Sequence, residues 1–110
     1  MALTFQLKDF DGPLDLLLHL INRAQIDIKD IFVSQITDQY IDMVSGAPDL
    51  DMDEATEFLV MAATLLEIKS RAMLPKPPEP DDGIDPEEEL IRRLEEYKRI
   101  RESAEDMKAL

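Results

Sequence analysis

Apolar residues recur every three or four positions through most of the chain, and this spacing predicts a series of amphipathic helices. The first helix is predicted to begin after Gly12 and Pro13, because proline tolerates the first helical position. It extends to Ala24 and carries a wide apolar face. Ahead of it, residues 3–7 alternate apolar and polar side chains, which predicts a short extended lead-in.

A second helix is predicted after a connector at residues 26–28. Asp30 can cap its start, and the serine and glycine at residues 45–46 mark its end. The apolar residues between these ends have helical spacing: Phe32, Val33, Ile36, Tyr40, Met43 and Val44. The second helix is therefore also predicted to be amphipathic.

The third helix is predicted to start with the capping pair Asp51 and Glu54 and to stop at Pro75. Its apolar surface divides into two stripes. We assign one to the internal core: Ala55, Phe58, Leu59, Ala62, Leu66 and Met73. The other is the candidate partner-binding stripe: Met61, Leu65, Ile68 and Ala72. The residues alone leave two interpretations open, because a helix that contacts two neighbours in a bundle also needs a wide apolar surface.

Residues 75–86 hold five of the seven prolines and predict a semi-rigid, extended, acidic linker. A fourth helix restarts at Asp85 and Pro86, and its pattern continues to Leu110, which suggests that the sequence is part of a longer chain. Its weak stripe and lack of an evident internal partner fit either a solvated helix or a segment that docks on another protein, and we favour docking. The candidate docking residues are Ile84, Leu90, Ile91, Leu94, Tyr97 and Ile100.

Composition supports an all-α fold, since aromatic residues make up 5% of the chain, glycine is rare and tryptophan is absent. The predicted organisation is a three-helix domain over residues 1–74, the proline-rich linker over 75–86, and a separate docking helix over 87–110.

Charge and cysteine content narrow the function classes. The formal net charge is −13 and no segment is strongly basic, so we expect no direct DNA binding. The sequence has no cysteine, no signal-peptide pattern at its start, and no apolar run near the ~20 residues that cross a bilayer. We therefore expect a cytoplasmic protein that does not bind membranes.

Candidate catalytic chemistry is sparse. The single histidine, His19, lies one turn after Asp15, and we interpret the two as a solvated pair on the polar face of the first helix, because a catalytic or metal site needs further convergent groups. The acidic run near residue 50 lacks the glycine and closing glutamate of a calcium loop. No phosphate loop or zinc spacing occurs in the sequence. We expect no enzymatic activity, no metal and no cofactor.

Three ordered blocks resemble the segregation and condensation protein A family: FDGPLDLLLHLI at residues 10–21, DIKDIFVSQITDQYIDMV at 27–44, and EATEFLVMAATLLEIKSRAMLP at 54–75. This resemblance implies a kleisin subunit that acts in chromosome condensation and segregation during cell division. It implies that the N-terminal domain binds the coiled-coil neck beside the ATPase head of a structural-maintenance-of-chromosomes (SMC) protein, and that the middle segment binds a dimer of segregation and condensation protein B. Family members continue to a C-terminal winged-helix domain, which this sequence lacks.

Under that resemblance, the candidate partner-binding stripe of the third helix would meet the SMC neck by knobs-into-holes packing. The candidate docking residues of the fourth helix would meet protein B. The protein would then be cytoplasmic and associated with the nucleoid through the SMC complex. The alternative is an acidic helical protein that acts alone, for example as a DNA mimic on a basic site. Concentration of the acidic residues in helix caps and the linker counts against a mimic.

Overall fold

The described residues, 7–33, 35–46, 52–75 and 83–108, form four α-helices in the computed structural model. These are α1 (Pro13–Ala24), α2 (Ile36–Ser45), α3 (Met52–Ala72) and α4 (Pro86–Lys108). Two short 3₁₀ helices, Leu7–Asp9 and Ile28–Val33, precede α1 and α2. The prediction of an all-α fold is confirmed.

The start of α1 is fixed by the backbone at Gly12 and Pro13. Gly12 has a φ of 134°, a conformation that side-chain-bearing residues rarely adopt, and Pro13 follows as the first helical residue. The carboxylate of Asp15 accepts a hydrogen bond of 2.9 Å from the backbone N–H of Asp11. α1 ends at Ala24, as its pattern predicts, with Gln25 in the left-handed conformation.

The chain between α1 and α2 differs from its prediction. The second helix was expected to begin at Asp30, but Ile28–Val33 is a 3₁₀ helix and α2 starts at Ile36. The predicted end at residues 45–46 is confirmed. Leu7, expected in an extended lead-in, opens a 3₁₀ helix and is buried in the core. The rest of the lead-in, the Asp51–Glu54 capping pair, and residues 76–82 of the linker lie outside what the structure describes.

The core is formed where α1, α2 and α3 meet. Helix α2 is tied to α3 by the Tyr40 hydroxyl, which donates a buried hydrogen bond of 2.8 Å to the Phe58 carbonyl. An exposed ion pair of 2.9 Å joins Lys69 to Asp38 at the edge of the same interface. The fully buried side chains of this core come mainly from α1 and α2: Leu16, Leu17, Ile21, Ile36, Tyr40 and Leu65.

Helix α4 packs inside the domain. It lies mainly against α1, and it also contacts the Ile28–Val33 helix and α3. Its first turn is capped by Asp85, whose carboxylate accepts a hydrogen bond of 3.0 Å from the Glu87 N–H. The expectation of a separate fourth helix without an internal partner is wrong, because the wide apolar face of α1 extends beyond the area that α2 and α3 cover.

Candidate partner-binding surface

The candidate partner-binding stripe of α3 faces the core. Met61, Leu65 and Ile68 are 3%, 0% and 2% exposed, so the assignment of this stripe to the surface is wrong. Ala72, the last residue of α3, is exposed. Helices α1, α2 and α4 all pack on this side of α3, and their apolar side chains enclose the stripe.

The opposite side of α3 is apolar and exposed. We define the outer face of α3 as Leu59, Ala63, Leu66, Ser70 and Met73, all of which are exposed. Three of these had been assigned to the internal core, and that assignment is wrong for Leu59, Leu66 and Met73, whereas it is confirmed for Phe58 and Ala62.

Residues of the outer face follow one another at intervals of four, three, four and three. This alternation is the a/d spacing of a coiled-coil heptad, with Leu59, Leu66 and Met73 as one position and the smaller Ala63 and Ser70 as the other. The face continues past the last helical residue because the Met73 N–H still donates to the Lys69 carbonyl at 3.2 Å. Val60 and Leu74 are also exposed along one edge.

Two physical features make this face suited to another helix. Its large side chains project from a rigid helix of 21 residues, roughly 30 Å long. Its small residues leave recesses between them into which a facing helix can insert side chains. Of the seven exposed large hydrophobic side chains in the described residues, five belong to α3 or the turn that follows it. Exposed apolar side chains concentrated in this way are typical of interaction sites.

The candidate docking residues of α4 are divided between core and surface. Leu90 and Leu94 are 1% and 0% exposed and belong to the core, while Ile91 and Tyr97 are partly buried against it. Ile84 and Ile100 are exposed. The stripe that was expected to await a partner is thus largely covered by α1 and its neighbours.

The α1–α4 contact is also polar. Asp15, which is buried, forms an ion pair with Arg101 of α4. On the solvent side of α4, Arg92 bridges Glu89 at 2.6 Å and Glu96 at 3.1 Å. The charged surface of α4 therefore faces solvent and its apolar stripe faces α1.

His19 and Asp15 do not form the solvated pair expected from the sequence. Asp15 is buried and pairs with Arg101, while the His19 ring lies 5.3 Å from the Phe10 ring, centroid to centroid. Burial, with a smaller effect from the nearby charge of Arg23, lowers the pKa of His19. Both residues thus contribute to the packing of α1.

The described residues, 7–33, 35–46, 52–75 and 83–108, include neither a metal-binding cluster nor a membrane-spanning helix. No group of three or more His, Cys, Asp or Glu side chains there is placed to hold a metal ion. None of the helices in these ranges is both long and apolar enough to cross a membrane.

Comparison with known proteins gives a consistent result. The family model described as "Segregation and condensation protein ScpA" matches residues 20–110. The chain belongs to this family. Among curated relatives, segregation and condensation protein A of Xylella fastidiosa is 52% identical over 111 residues, covering 99% of this chain. The corresponding proteins of Brevibacillus brevis and Halalkalibacterium halodurans are 49% and 51% identical, over 100% and 94% of this chain.

The chain spans 37%, 47% and 42% of these three segregation and condensation proteins A, respectively, so it corresponds to less than half of each. Within that part, the outer face of α3 is the candidate binding surface that was not predicted from the sequence. The signal was present as the four-three alternation from Leu59 to Met73. It was obscured because Ala63 and Ser70, which occupy alternate positions, are small or polar.

Proposed function

We propose that this chain is the partner-binding part of a non-enzymatic kleisin subunit that acts in chromosome segregation and condensation. In this proposal it binds the coiled-coil neck of an SMC protein through α3 and a segregation and condensation protein B dimer through α4. Membership of the family supports the general role. The observation that carries the SMC contact is the exposed heptad spacing on the outer face of α3.

We assign the proposed SMC contact to the outer face of α3 and no longer to the candidate partner-binding stripe, which is mostly buried. In a two-stranded coiled coil the a and d side chains pack between the strands, and the heptad spacing of the outer face would let α3 join such a neck as a further helix by knobs-into-holes packing. Full burial of an exposed Leu or Met side chain contributes about 1.5 to 3 kcal/mol, and Leu59, Leu66 and Met73, which are 56%, 51% and 75% exposed, would each contribute a part of that on binding. Met61, Leu65 and Ile68 would then act indirectly, by holding α3 in place.

Substitution of Leu66 by glutamate tests the SMC contact. Leu66 is 51% exposed, so Leu66→Glu should leave the helical circular dichroism unchanged. It should weaken binding to an SMC head-plus-neck protein by about 30-fold or more, since a loss of roughly 2 kcal/mol corresponds to that factor. Unchanged affinity for the Leu66→Glu chain would rule out the outer face as the SMC contact.

The matched control is Ile100→Glu, the same kind of change at an exposed apolar residue of α4. This variant should keep SMC binding and lose affinity for protein B, whereas Leu66→Glu should do the reverse. Deletion of residues 76–110 is a poorer test, because it removes Leu90 and Leu94 from the core. Ile100→Glu that binds protein B like the parent chain would contradict the assignment of protein B to α4.

Direct contact with DNA is not part of the proposed function. The protein would act on the chromosome through its partners. The net charge of −13 repels phosphate, and electrostatic attraction supplies nearly all non-specific DNA binding. We expect no gel shift of duplex DNA at physiological salt. The same proposal makes the protein cytoplasmic and nucleoid-associated through the SMC complex.

A further inference from the structure

We propose that α4 has two alternative partners: packing on α1 covers the apolar stripe that protein B binds, so protein B must displace α4 from the domain. This inference rests on the proposed function, in which α4 is the protein B contact. It adds that the protein B contact is covered by α1 in the free chain. The free energy needed to separate α4 from α1 then weakens the observed binding.

The burial pattern of α4 carries the proposal. Leu90 and Leu94 are almost fully buried, and Ile91 and Tyr97 pack partly against the same core. The exposed side of the helix holds charged residues such as Arg92, Glu95 and Glu96. A partner that needs an apolar stripe finds only Ile100 exposed among the large hydrophobic side chains of α4 within the described range. The stripe cannot pack on α1 and on protein B at once.

The residues that hold α4 on α1 differ from those that join α2 to α3. Arg101 pairs with Asp15 near the start of α1, and Leu90 and Leu94 provide the deeply buried apolar contacts of α4. The packing of α2 on α3 includes the Tyr40–Phe58 hydrogen bond, which involves no residue of α4. Release of α4 breaks its contacts with α1, with the Ile28–Val33 helix and with α3, and it leaves the direct contact between α2 and α3 in place.

Displacement of α4 has a thermodynamic consequence. When the competent state is a minor population, the observed dissociation constant is the intrinsic one divided by the competent fraction. Any change that loosens α4 without altering its stripe should therefore tighten protein B binding. Asp15→Asn meets this condition, because it removes the charge opposite Arg101 from α1 and leaves every residue of α4 unchanged.

A cysteine tether provides the decisive test. The chain contains no cysteine, so Asn22→Cys and Lys98→Cys introduce its only two thiols. Both positions are exposed, and both line the same two clefts between α1 and α4. A short bis-maleimide should join them and hold α4 on α1. Protein B affinity is then measured by titration for the tethered chain and for the same double variant alkylated with N-ethylmaleimide.

The proposal predicts that the alkylated chain binds protein B and that the tethered chain binds at least ten-fold more weakly. It also predicts several-fold tighter binding for Asp15→Asn than for the parent chain. Equal binding by tethered and alkylated chains would overturn the displacement of α4 and leave the protein B contact intact. Absence of binding by both, and by the parent chain, would overturn the protein B part of the proposed function and the displacement with it.

Discussion

Helices α3 and α4 are similar in length and opposite in how they use their apolar residues. Helix α3 has 21 residues and buries one apolar face while it leaves a second one exposed. Helix α4 has 23 residues, buries its single stripe and turns a charged surface to solvent. In the free chain, therefore, the surface of α3 proposed to bind a partner is exposed, and most of the stripe of α4 proposed to bind protein B is covered.

This difference shows that apolar content alone does not locate an interface. Helix α3 has more apolar residues than α4. Those on its inner face pack in the core, and the others lie exposed on its outer face. Helix α4 has few apolar residues, and most of them pack against the part of α1 that α2 and α3 leave uncovered. Substitutions that separate the two faces of α3, and the two sides of α4, test this comparison.

The largest effect is expected inside α3, between two adjacent leucines. Leu65 is fully buried, and Leu65→Ala should lower the free energy of unfolding by about 2 to 5 kcal/mol, through lost apolar contact and a residual cavity. Leu66→Ala, half exposed, should change it by no more than about 0.5 kcal/mol. Urea denaturation followed by circular dichroism measures both. Equal losses would mean that the two faces of α3 are not distinct.

A smaller loss of stability is expected from a core substitution in α4, because that substitution should loosen α4 more than the other helices. Leu94→Ala should cost about 2 to 3 kcal/mol, at the lower end of the range for buried leucines, because the proposed release of α4 leaves α2 packed on α3. Ile100, 63% exposed, is the control, and Ile100→Ala should be close to neutral. Hydrogen exchange should show faster exchange in α4 than in α3 for Leu94→Ala. Uniform acceleration across both helices would contradict a separable α4.

The Tyr40 hydroxyl should give the smallest of these effects. Tyr40→Phe removes its hydrogen bond to Phe58 and should cost about 1 kcal/mol. The control is Tyr97→Phe on α4, which is expected to change stability by less than about 0.5 kcal/mol. Thermal denaturation at pH 7 measures both, and a Tyr40→Phe chain as stable as its parent would show that the bond contributes little.

The same residue predicts a pH dependence. Burial raises the pKa of Tyr40, so the folded state favours the neutral phenol. Above about pH 10, the usual pKa of tyrosine, the unfolded chain loses this proton and the folded chain keeps it, which lowers the stability of the parent as pH rises. Between about pH 9 and pH 11, which is roughly one unit on either side of the usual tyrosine pKa, the Tyr40→Phe chain should lose less stability than its parent. Identical pH profiles would contradict a shift at Tyr40.

Local signals in the sequence located most helix ends. The Gly12–Pro13 start and the Asp85 cap act through neighbouring backbone atoms, so their effect is visible in the sequence itself. The 3₁₀ helix at Ile28–Val33 was missed, because its apolar residues satisfy the helical spacing of the predicted second helix equally well.

The faces of α3 and α4 depend on tertiary packing, which local patterns do not contain. Leu65 and Leu66 are chemically identical, and only the positions of α1, α2 and α4 decide which one is buried. The burial of Leu94 followed from the width of the apolar face of α1, which two neighbouring helices could not cover. The run of apolar residues from Leu16 to Ile21 indicates that width. It does not indicate that a helix some seventy positions later packs against it.

The most direct test of the outer face is cysteine protection along α3. Single cysteines are placed on the outer face at positions 59, 66 and 73, and at the exposed position 57 outside it, in a chain that has no other thiol. Alkylation rates are then measured with and without the SMC head-plus-neck protein. Alkylation should be slower at 59, 66 and 73 when the partner is present, and its rate at 57 should be unchanged. Protection confined to 57, or no protection at any position, would contradict the assignment of the SMC contact to the outer face of α3.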